Sequence, residues 1–178
     1  MGKNYAPIKT GSVSKAMSNM IHQLVMSDNF SWFWNDFQIG DQFGAQYSGF
    51  THVFYKFKIN SEYFPQAHEL VREIIKNENL QVNQLVRVQA NLLTNIHANE
   101  IEISNSIHVD MDNPGFKSIV YYVDDSDGDT IIFGDQDCKV SPVKGTYVMF
   151  DSHTKHMASI PKKHKRRVVF NIILGIKK

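Results

Sequence analysis

The chain has 178 residues, of which 42% are hydrophobic, and its 19 Lys and Arg nearly balance its 18 Asp and Glu to give a formal net charge of +1. This length is enough for one globular domain with a sizeable core, while the near-neutral charge gives no general argument for binding nucleic acid or membranes. The single cysteine, Cys138, excludes a disulfide framework and a four-cysteine zinc site. We therefore expect residues 1–178 to form one soluble, cytoplasmic domain without a membrane span.

The first third of the chain combines helical and strand patterns. Helical spacing of apolar residues predicts one helix over residues 14–27 and a second over 63–78, where Pro65 suits a first helical turn. Between them lie an aromatic segment, FSWFW at 30–34, and an alternating segment that predicts a strand over 50–59. We interpret Trp32 and Trp34 as packing residues, with closure of a substrate pocket as the alternative.

From residue 82 onward the hydrophobic period changes to two and remains two to the end of the chain. Turn residues such as Asn113-Pro114-Gly115 separate the short alternating segments. The predicted strands are 84–92, 100–108, 116–123, 129–133, 138–143, 145–150, 155–160 and 166–174. This spacing predicts a mainly β (α+β) fold, as a sandwich, jelly roll or barrel with a core at about 82–176 and the helices outside.

The pattern His108-Val109-Asp110 is the most informative feature of the sequence. Side chains alternate along a strand, so His108 and Asp110 project to the same side and can hold one ion. His156, at the start of a later predicted strand, supplies a third ligand, with His153 as the less favoured alternative. Two imidazoles and one carboxylate are the ligands of non-haem Fe(II) oxygenases, and they leave coordination positions open for a bidentate cosubstrate and O₂.

A cosubstrate with a second carboxylate also needs a fixed cation and hydroxyl donors. Lys165, Arg166 and Arg167 begin the last predicted strand, and a guanidinium binds a carboxylate through two parallel hydrogen bonds. On the strand at 116–123, Ser118, Val120 and Tyr122 share one face and Tyr121 lies on the other. Ser118, Tyr122 and one of the basic residues are therefore candidates for one ligand pocket.

Taken together, these motifs resemble those of the Fe(II)- and 2-oxoglutarate-dependent dioxygenases, specifically the prolyl 4-hydroxylase-like branch found in phage and bacterial genomes. The resemblance extends from about residue 87 to residue 174, and the N-terminal aromatic segment and the THVFY strand at 51–55 also look like the phage-type members. The matching pieces are HVD at 108–110, SIVYYV at 118–123, DGDTIIF at 127–133, KGTYVMFD at 144–151, His156 and RRVVFNIIL at 166–174.

The resemblance implies a double-stranded β-helix, that is, a jelly roll with N-terminal supporting helices. It also implies an Fe(II) site at His108, Asp110 and His156, and a 2-oxoglutarate site. Tyr122, Ser118, Arg167 and Asn171 would form that second site, because Arg167 and Asn171 share a strand face; Asn91 is a weaker candidate for the pocket wall. Ascorbate is an optional accessory reductant in this family.

The same resemblance implies the reaction and its partners. Halogenating relatives carry Ala or Gly where this chain has Asp110, so we expect hydroxylation, with O₂ and 2-oxoglutarate consumed. By analogy the substrate is a peptidyl proline or another protein side chain, with a small molecule left open; a viral member would act in the host cytoplasm. Two alternatives remain: an oxygenase acting on nucleic acid, suggested by the basic run 162–167, and a non-enzymatic jelly roll that retains a metal.

Overall fold

The computed structural model of the protein describes residues 7–35, 49–95 and 107–177. The strands in these ranges are β1 Lys9–Ser12, β2 Phe33–Asn35, β3 Gly49–Lys56, β4 Val82–Thr94, β5 Phe116–Tyr122, β6 Thr130–Ile132, β7 Cys138–Val140, β8 Thr146–Asp151, β9 His156–Ala158 and β10 Arg166–Ile176. The helices are α1 Lys15–Val25 and α2 Phe64–Asn77.

The strands form two antiparallel sheets. The larger sheet has the order β1-β8-β5-β10-β4-β3-β2, and the smaller has the order β7-β6-β9. A backbone bridge between His108 and His156 extends the smaller sheet beyond β9. Antiparallel strands in two sheets with these crossovers are typical of a jelly roll, so the predicted fold class is confirmed.

Side-chain alternation on the larger sheet divides the core into two layers. On β5, Ile119 and Tyr121 belong to a cluster with apolar residues of α1 and α2, whereas Val120 and Tyr122 belong to a second cluster with Ile132 of the smaller sheet. One face of the larger sheet therefore packs against the helices, and the other faces the smaller sheet. Polar residues on that second face lie between the sheets rather than in solvent.

The two helices cover the larger sheet because each has one apolar stripe. In α1, Ile21 and Val25 are buried, and the Ser14 hydroxyl accepts a hydrogen bond from the Met17 N–H at 3.2 Å, which caps the helix. In α2, the buried residues are Ala67, Leu70, Val71 and Ile74. No helix among the described residues is long and apolar enough to cross a membrane.

The structure differs from the predicted elements mainly before residue 82. Strands β1 and β2 were not predicted; both are edge strands of the larger sheet. The predicted strand at 100–108 lies outside the described residues except for 107–108. Trp32 packs against the helix-side cluster as predicted, whereas Trp34 is 58% exposed and packs edge-to-face against Phe50 outside the buried core.

Candidate metal centre

Backbone pairing brings the two histidines together. The His108 N–H donates to the His156 carbonyl at 3.0 Å, and the His156 N–H donates to the His108 carbonyl at 2.9 Å. Directly opposed residues of an antiparallel pair project to the same face. The two imidazole rings accordingly lie with their centroids 4.3 Å apart.

Asp110 reaches the same place two residues further along the chain. Its N–H donates to the Ser152 carbonyl at 3.0 Å, which holds the segment against the loop between β8 and β9. The Asp110 Oδ2 atom lies 3.5 Å from His156 Nε2, and one donor atom from each of His108, Asp110 and His156 lies within 4.8 Å of the others. The structure thus brings together the three residues predicted from the HxD pattern and His156, whereas His153 is not part of this group.

Hydrogen bonds set the chemical state of the ligand atoms. His156 Nδ1 lies 3.0 Å from the Thr154 carbonyl and must donate to it, which leaves the Nε2 lone pair free for a metal. Burial lowers the pKa of His156 to about 4 despite the nearby Asp110 carboxylate, so the imidazole is neutral at pH 7. Neutral imidazole is the form that binds metals.

The Asp110 carboxylate is held in its ionised form. Its side chain is only 3% exposed, and burial alone would raise its pKa. His156, which is charged only in the acidic range where Asp110 titrates, acts with the Arg87 guanidinium and the Ser118 hydroxyl to outweigh burial and hold the pKa of Asp110 below its ordinary value. Ser118 Oγ donates to Asp110 Oδ2 at 2.6 Å and lies 2.9 Å from Ser152 Oγ. Two imidazoles and one carboxylate are a donor set that fits Fe(II).

Arg87 is a site residue that the sequence reasoning missed. One terminal nitrogen, Nη2, donates to Asp110 Oδ1 at 2.7 Å and to Asn171 Oδ1 at 2.8 Å. Arg87 alternates on β4 with buried Val86 and Val88, as a solvent-facing residue would. The signal that was available in the sequence is a polar strand face that continues from Arg87 through Gln89 and Asn91.

The candidate ligands line a cavity between the two sheets. Its volume is about 240 Å³, and Asp110 is the one carboxylate among the lining residues that the structure describes. The lining residues are Arg87, Gln89, Asn91, His108, Val109, Asp110, Val120, Thr130, His156, Met157, Ala158, Arg167, Val169 and Asn171. The predicted face shared by Arg167 and Asn171 is thus turned into the cavity, and Asn91 lines it as well.

Arg167 carries a positive charge into this cavity. The residue is only 4% exposed; its Nε donates to the Gly128 carbonyl at 2.7 Å and its Nη2 to Thr130 Oγ1 at 2.8 Å. No Asp or Glu of the described ranges forms an ion pair with it, and burial lowers its pKa. Of the three basic candidates, Lys165 and Arg166 are exposed, and Arg166 pairs with Asp124 at 3.1 Å.

Tyr122 and Ser118 lie behind the cavity lining. The Tyr122 hydroxyl donates to Thr130 Oγ1 at 2.9 Å, next to the Arg167 guanidinium, and burial raises the pKa of Tyr122. Ser118 is fully buried and contacts Asp110 instead of the Arg167 end. Neither is among the lining residues, and they lie at different ends of the cavity; that one tyrosine and one serine meet the same ligand stays a prediction.

The basic run at 162–167 is held to the protein mainly through its backbone. Asp127 accepts hydrogen bonds from the backbone N–H groups of Lys162, Lys163 and His164. These are backbone contacts, so the side chains of Lys162, Lys163 and Lys165 stay exposed, whereas Arg166 pairs with Asp124 and Arg167 is buried. Three exposed lysines on a loop are weak support for nucleic-acid binding.

Comparison with known proteins identifies the fold that carries this site. No protein-family model matches the sequence, and no curated protein matches it. Solved structures do match. A Pseudomonas putida prolyl-4-hydroxylase is 13% identical with a TM-score of 0.60, covering 96% of this chain and 93% of that one. The chain has the fold of the 2-oxoglutarate/Fe(II) oxygenases.

Two further structures agree with this assignment of fold. A Burkholderia pseudomallei oxidoreductase of the 2OG-Fe(II) oxygenase family has a TM-score of 0.63 at 12% identity, covering 89% of this chain and 78% of that one. A Trichoplax adhaerens prolyl hydroxylase, in complex with a hypoxia inducible factor peptide fragment, has a TM-score of 0.60 at 11% identity, covering 95% and 83%. At these identities the match concerns the fold.

Proposed function

We propose that the protein is an Fe(II)- and 2-oxoglutarate-dependent dioxygenase that hydroxylates its substrate. One observation carries the proposal: a single cavity of about 240 Å³ has the His108, Asp110 and His156 donor atoms in its wall together with a buried guanidinium, Arg167, that lacks a carboxylate partner among the described residues. A metal site and a buried guanidinium without an ion pair among the described residues are complementary to a dicarboxylate that chelates the metal at one end. The solved oxygenases with this fold support the enzyme class.

His108, Asp110 and His156 would hold the iron. When bound, Fe(II) offers open coordination positions to a 2-oxo acid and to O₂ and supplies the oxidising chemistry. The residues of this chain contribute the geometry: the Thr154 carbonyl fixes the tautomer of His156, and the Ser118 hydroxyl orients Asp110.

Arg167 and Thr130 would bind the distal carboxylate of 2-oxoglutarate. The guanidinium is already fixed by the Gly128 carbonyl, so little side-chain freedom is lost when the anion binds. Tyr122 holds the Thr130 hydroxyl from behind the wall, and apolar Val120 and Val169 line the space between Arg167 and the metal ligands. Exclusion of water by these valines strengthens the charge pairing inside the cavity.

We propose a peptidyl proline or another protein side chain as the substrate, and one functional unit over residues 1–178. Support for a peptide comes from two proteins with the same fold, one named a prolyl-4-hydroxylase and one a prolyl hydroxylase in complex with a peptide fragment. Support for one unit is the larger sheet, in which β1 and β2 join strands from the end of the chain.

Anaerobic titration of the metal-free protein with Fe(II) and 2-oxoglutarate tests the proposal. The expected result is a weak visible charge-transfer band in the parent protein and none in His108→Ala. On admission of O₂, loss of 2-oxoglutarate should match formation of succinate. Metal binding without any succinate would instead support a non-enzymatic jelly roll and overturn the proposal.

The substrate class needs a separate measurement. Proline-containing peptides should gain one oxygen atom by mass spectrometry only when Fe(II), 2-oxoglutarate and O₂ are all present. Single-stranded and double-stranded DNA and RNA, offered at low salt, should neither bind nor be modified. Modification of nucleic acid in place of peptide would contradict the proposed substrate while leaving the oxygenase class intact.

A further inference from the structure

The Asp110 carboxylate has two oxygens with different neighbours. Oδ2 accepts from the neutral Ser118 hydroxyl at 2.6 Å and lies 3.5 Å from His156 Nε2. Oδ1 accepts from the charged Arg87 guanidinium at 2.7 Å. Only Oδ2 combines proximity to a second metal ligand with an uncharged partner, so the two oxygens are not equivalent toward a metal ion.

Arg87 is itself fixed in position. The nitrogen that binds Asp110 Oδ1 also donates to Asn171 Oδ1 at 2.8 Å, across the pairing of β4 with β10. Its Nε is buried with no hydrogen-bond partner in the described parts of the chain. A buried donor without a partner is costly, so the guanidinium is held here by the Asp110 carboxylate and the Asn171 amide oxygen and not by satisfaction of every N–H group.

A fixed positive charge beside Oδ1 keeps a second cation away from that oxygen. Two positive charges that shared one oxygen would lie only a few ångströms apart in a site largely shielded from water, where Coulomb repulsion is several times stronger than in bulk water. The Asp110 side chain is 3% exposed and the Arg87 side chain 27% exposed, so water screens this repulsion only in part. A metal ion is therefore directed to Oδ2.

From this arrangement, and resting on the proposed function, we propose that Arg87 is a positioning residue that restricts Asp110 to one metal-binding oxygen. With two imidazoles, a carboxylate that binds through one oxygen leaves about three of six octahedral positions open. A carboxylate that chelates through both oxygens leaves about two, which a bidentate cosubstrate fills, so that no position remains for O₂. Arg87 thus preserves the coordination position that O₂ requires.

The number of water molecules on bound Mn(II) tests this inference without any turnover. Parent protein saturated with Mn(II) in ¹⁷O-enriched water should show, from broadening of its EPR lines, about three bound waters. Arg87→Met should show about two, because Oδ1 becomes free to bind the ion. Arg87→Lys, which keeps a positive charge near Oδ1, should restore about three. If Arg87→Met folds poorly, Arg87→Gln removes the charge with a polar side chain and should also show about two.

Arg166→Met is the matched control. It breaks an Arg–Asp pair of similar length, 3.1 Å to Asp124, at a residue that does not line the cavity, and should leave about three waters. If Mn(II) in Arg87→Met and Arg87→Gln keeps the same number of waters as in the parent, the inference is wrong and the proposed function stands. If the parent itself binds no Mn(II) or Fe(II), both the inference and the proposed function are wrong.

Discussion

His108 and His156 pair directly through their backbones, with N–H to carbonyl distances of 3.0 Å and 2.9 Å in the two directions. The spacing of the two imidazoles is therefore set by strand register and not by side-chain conformations alone. Backbone pairing makes a metal site precise before the ion arrives, since it fixes His108, on the segment before β5, directly opposite His156 on β9. This register also gives His153 and His156 different roles. His156 lies opposite His108, whereas His153 is outside the ligand group.

We predict that His156→Ala weakens metal binding strongly, whereas His153→Ala leaves it nearly unchanged. Loss of one of three ligands should weaken Co(II) binding by more than about 100-fold, beyond what an outer hydrogen-bond partner contributes. His153 lies outside the ligand group, so His153→Ala should bind Co(II) within about threefold of the parent. Isothermal titration calorimetry measures both. Equal losses in the two variants would contradict the assignment of His156 as the ligand.

Arg167→Met should separate cosubstrate binding from metal binding. Removing one partner of a buried charge contact costs about 2–4 kcal/mol, so the Kd for 2-oxoglutarate should rise roughly 30- to 1000-fold. The Kd for Co(II) should stay within about threefold, because Arg167 is no metal ligand. Anaerobic titration of the Co(II)-loaded protein with 2-oxoglutarate gives the first value.

Arg166→Met and Arg167→Lys are the controls for this prediction. Arg166 is 45% exposed in its side chain and pairs with Asp124, so its loss should leave the 2-oxoglutarate Kd unchanged. Arg167→Lys keeps a point charge without the planar fork and should fall between the parent and Arg167→Met. A normal 2-oxoglutarate Kd in a folded Arg167→Met protein would argue against the cosubstrate site proposed at this end of the cavity.

The sequence predicted the strand face of each residue better than it predicted which other residues each one contacts. Period-two counting put Val120 with Tyr122 and opposite Tyr121, and the two clusters confirm that division. It also grouped Ser118 with Tyr122, yet Ser118 contacts Asp110 at one end of the strand and Tyr122 contacts Thr130 at the other. Alternation determines which side of the sheet a residue faces. Which residues it contacts on that side depends on the register with strands distant in sequence.

Arg87 escaped prediction for a related reason. An alternating polar residue on a strand reads as solvent-facing, because the pattern does not distinguish bulk water from a polar cavity between two sheets. Only the pairing of β4 with β10 brings Arg87 near Asn171, and only the segment before β5 brings Asp110 to it. The HxD pattern was readable because both ligands lie two residues apart on one segment.

Gly128 is predicted to be intolerant of a side chain, because the backbone here touches Arg167. A Cβ at this position would lie 2.8 Å from Arg167 Cδ and 2.7 Å from the Ser159 carbonyl oxygen. Gly128→Ala should therefore lower the free energy of unfolding by about 1–3 kcal/mol and weaken 2-oxoglutarate binding through displacement of Arg167. Urea denaturation and the anaerobic titration measure these two effects.

Gly134→Ala is the comparison for Gly128. A Cβ at Gly134 would lie no closer than 3.6 Å to its nearest neighbour, the Gln136 carbonyl oxygen, which is an ordinary contact. This variant should change the free energy of unfolding by less than about 0.5 kcal/mol. If Gly128→Ala were equally mild, the close approach between the Gly128 backbone and Arg167 would have no energetic consequence.

Asp127 should make stability depend on pH through the loop that leads to Arg167. Its carboxylate accepts backbone N–H bonds from Lys162 at 3.1 Å, Lys163 at 2.8 Å and His164 at 3.1 Å. Partial burial alone would raise the pKa of Asp127, but these hydrogen bonds outweigh it and hold the pKa well below its ordinary value. The carboxyl thus stabilises the fold at pH values above its unfolded pKa of about 3.9, and the contribution is lost as pH falls from about 5 toward the folded pKa.

Asp127→Asn should therefore be less stable than the parent by about 1 kcal/mol at pH 7, and the difference should shrink below about pH 4. Urea denaturation at a series of pH values measures it. Asp135→Asn, at an exposed carboxylate, should match the parent at every pH. A difference between Asp127→Asn and the parent that stays constant from pH 7 to pH 3 would mean that the Asp127 charge does not hold this loop. If the difference follows pH as expected, the loop before β10, and with it the approach to Arg167, is fixed by one ionised carboxylate beside Gly128.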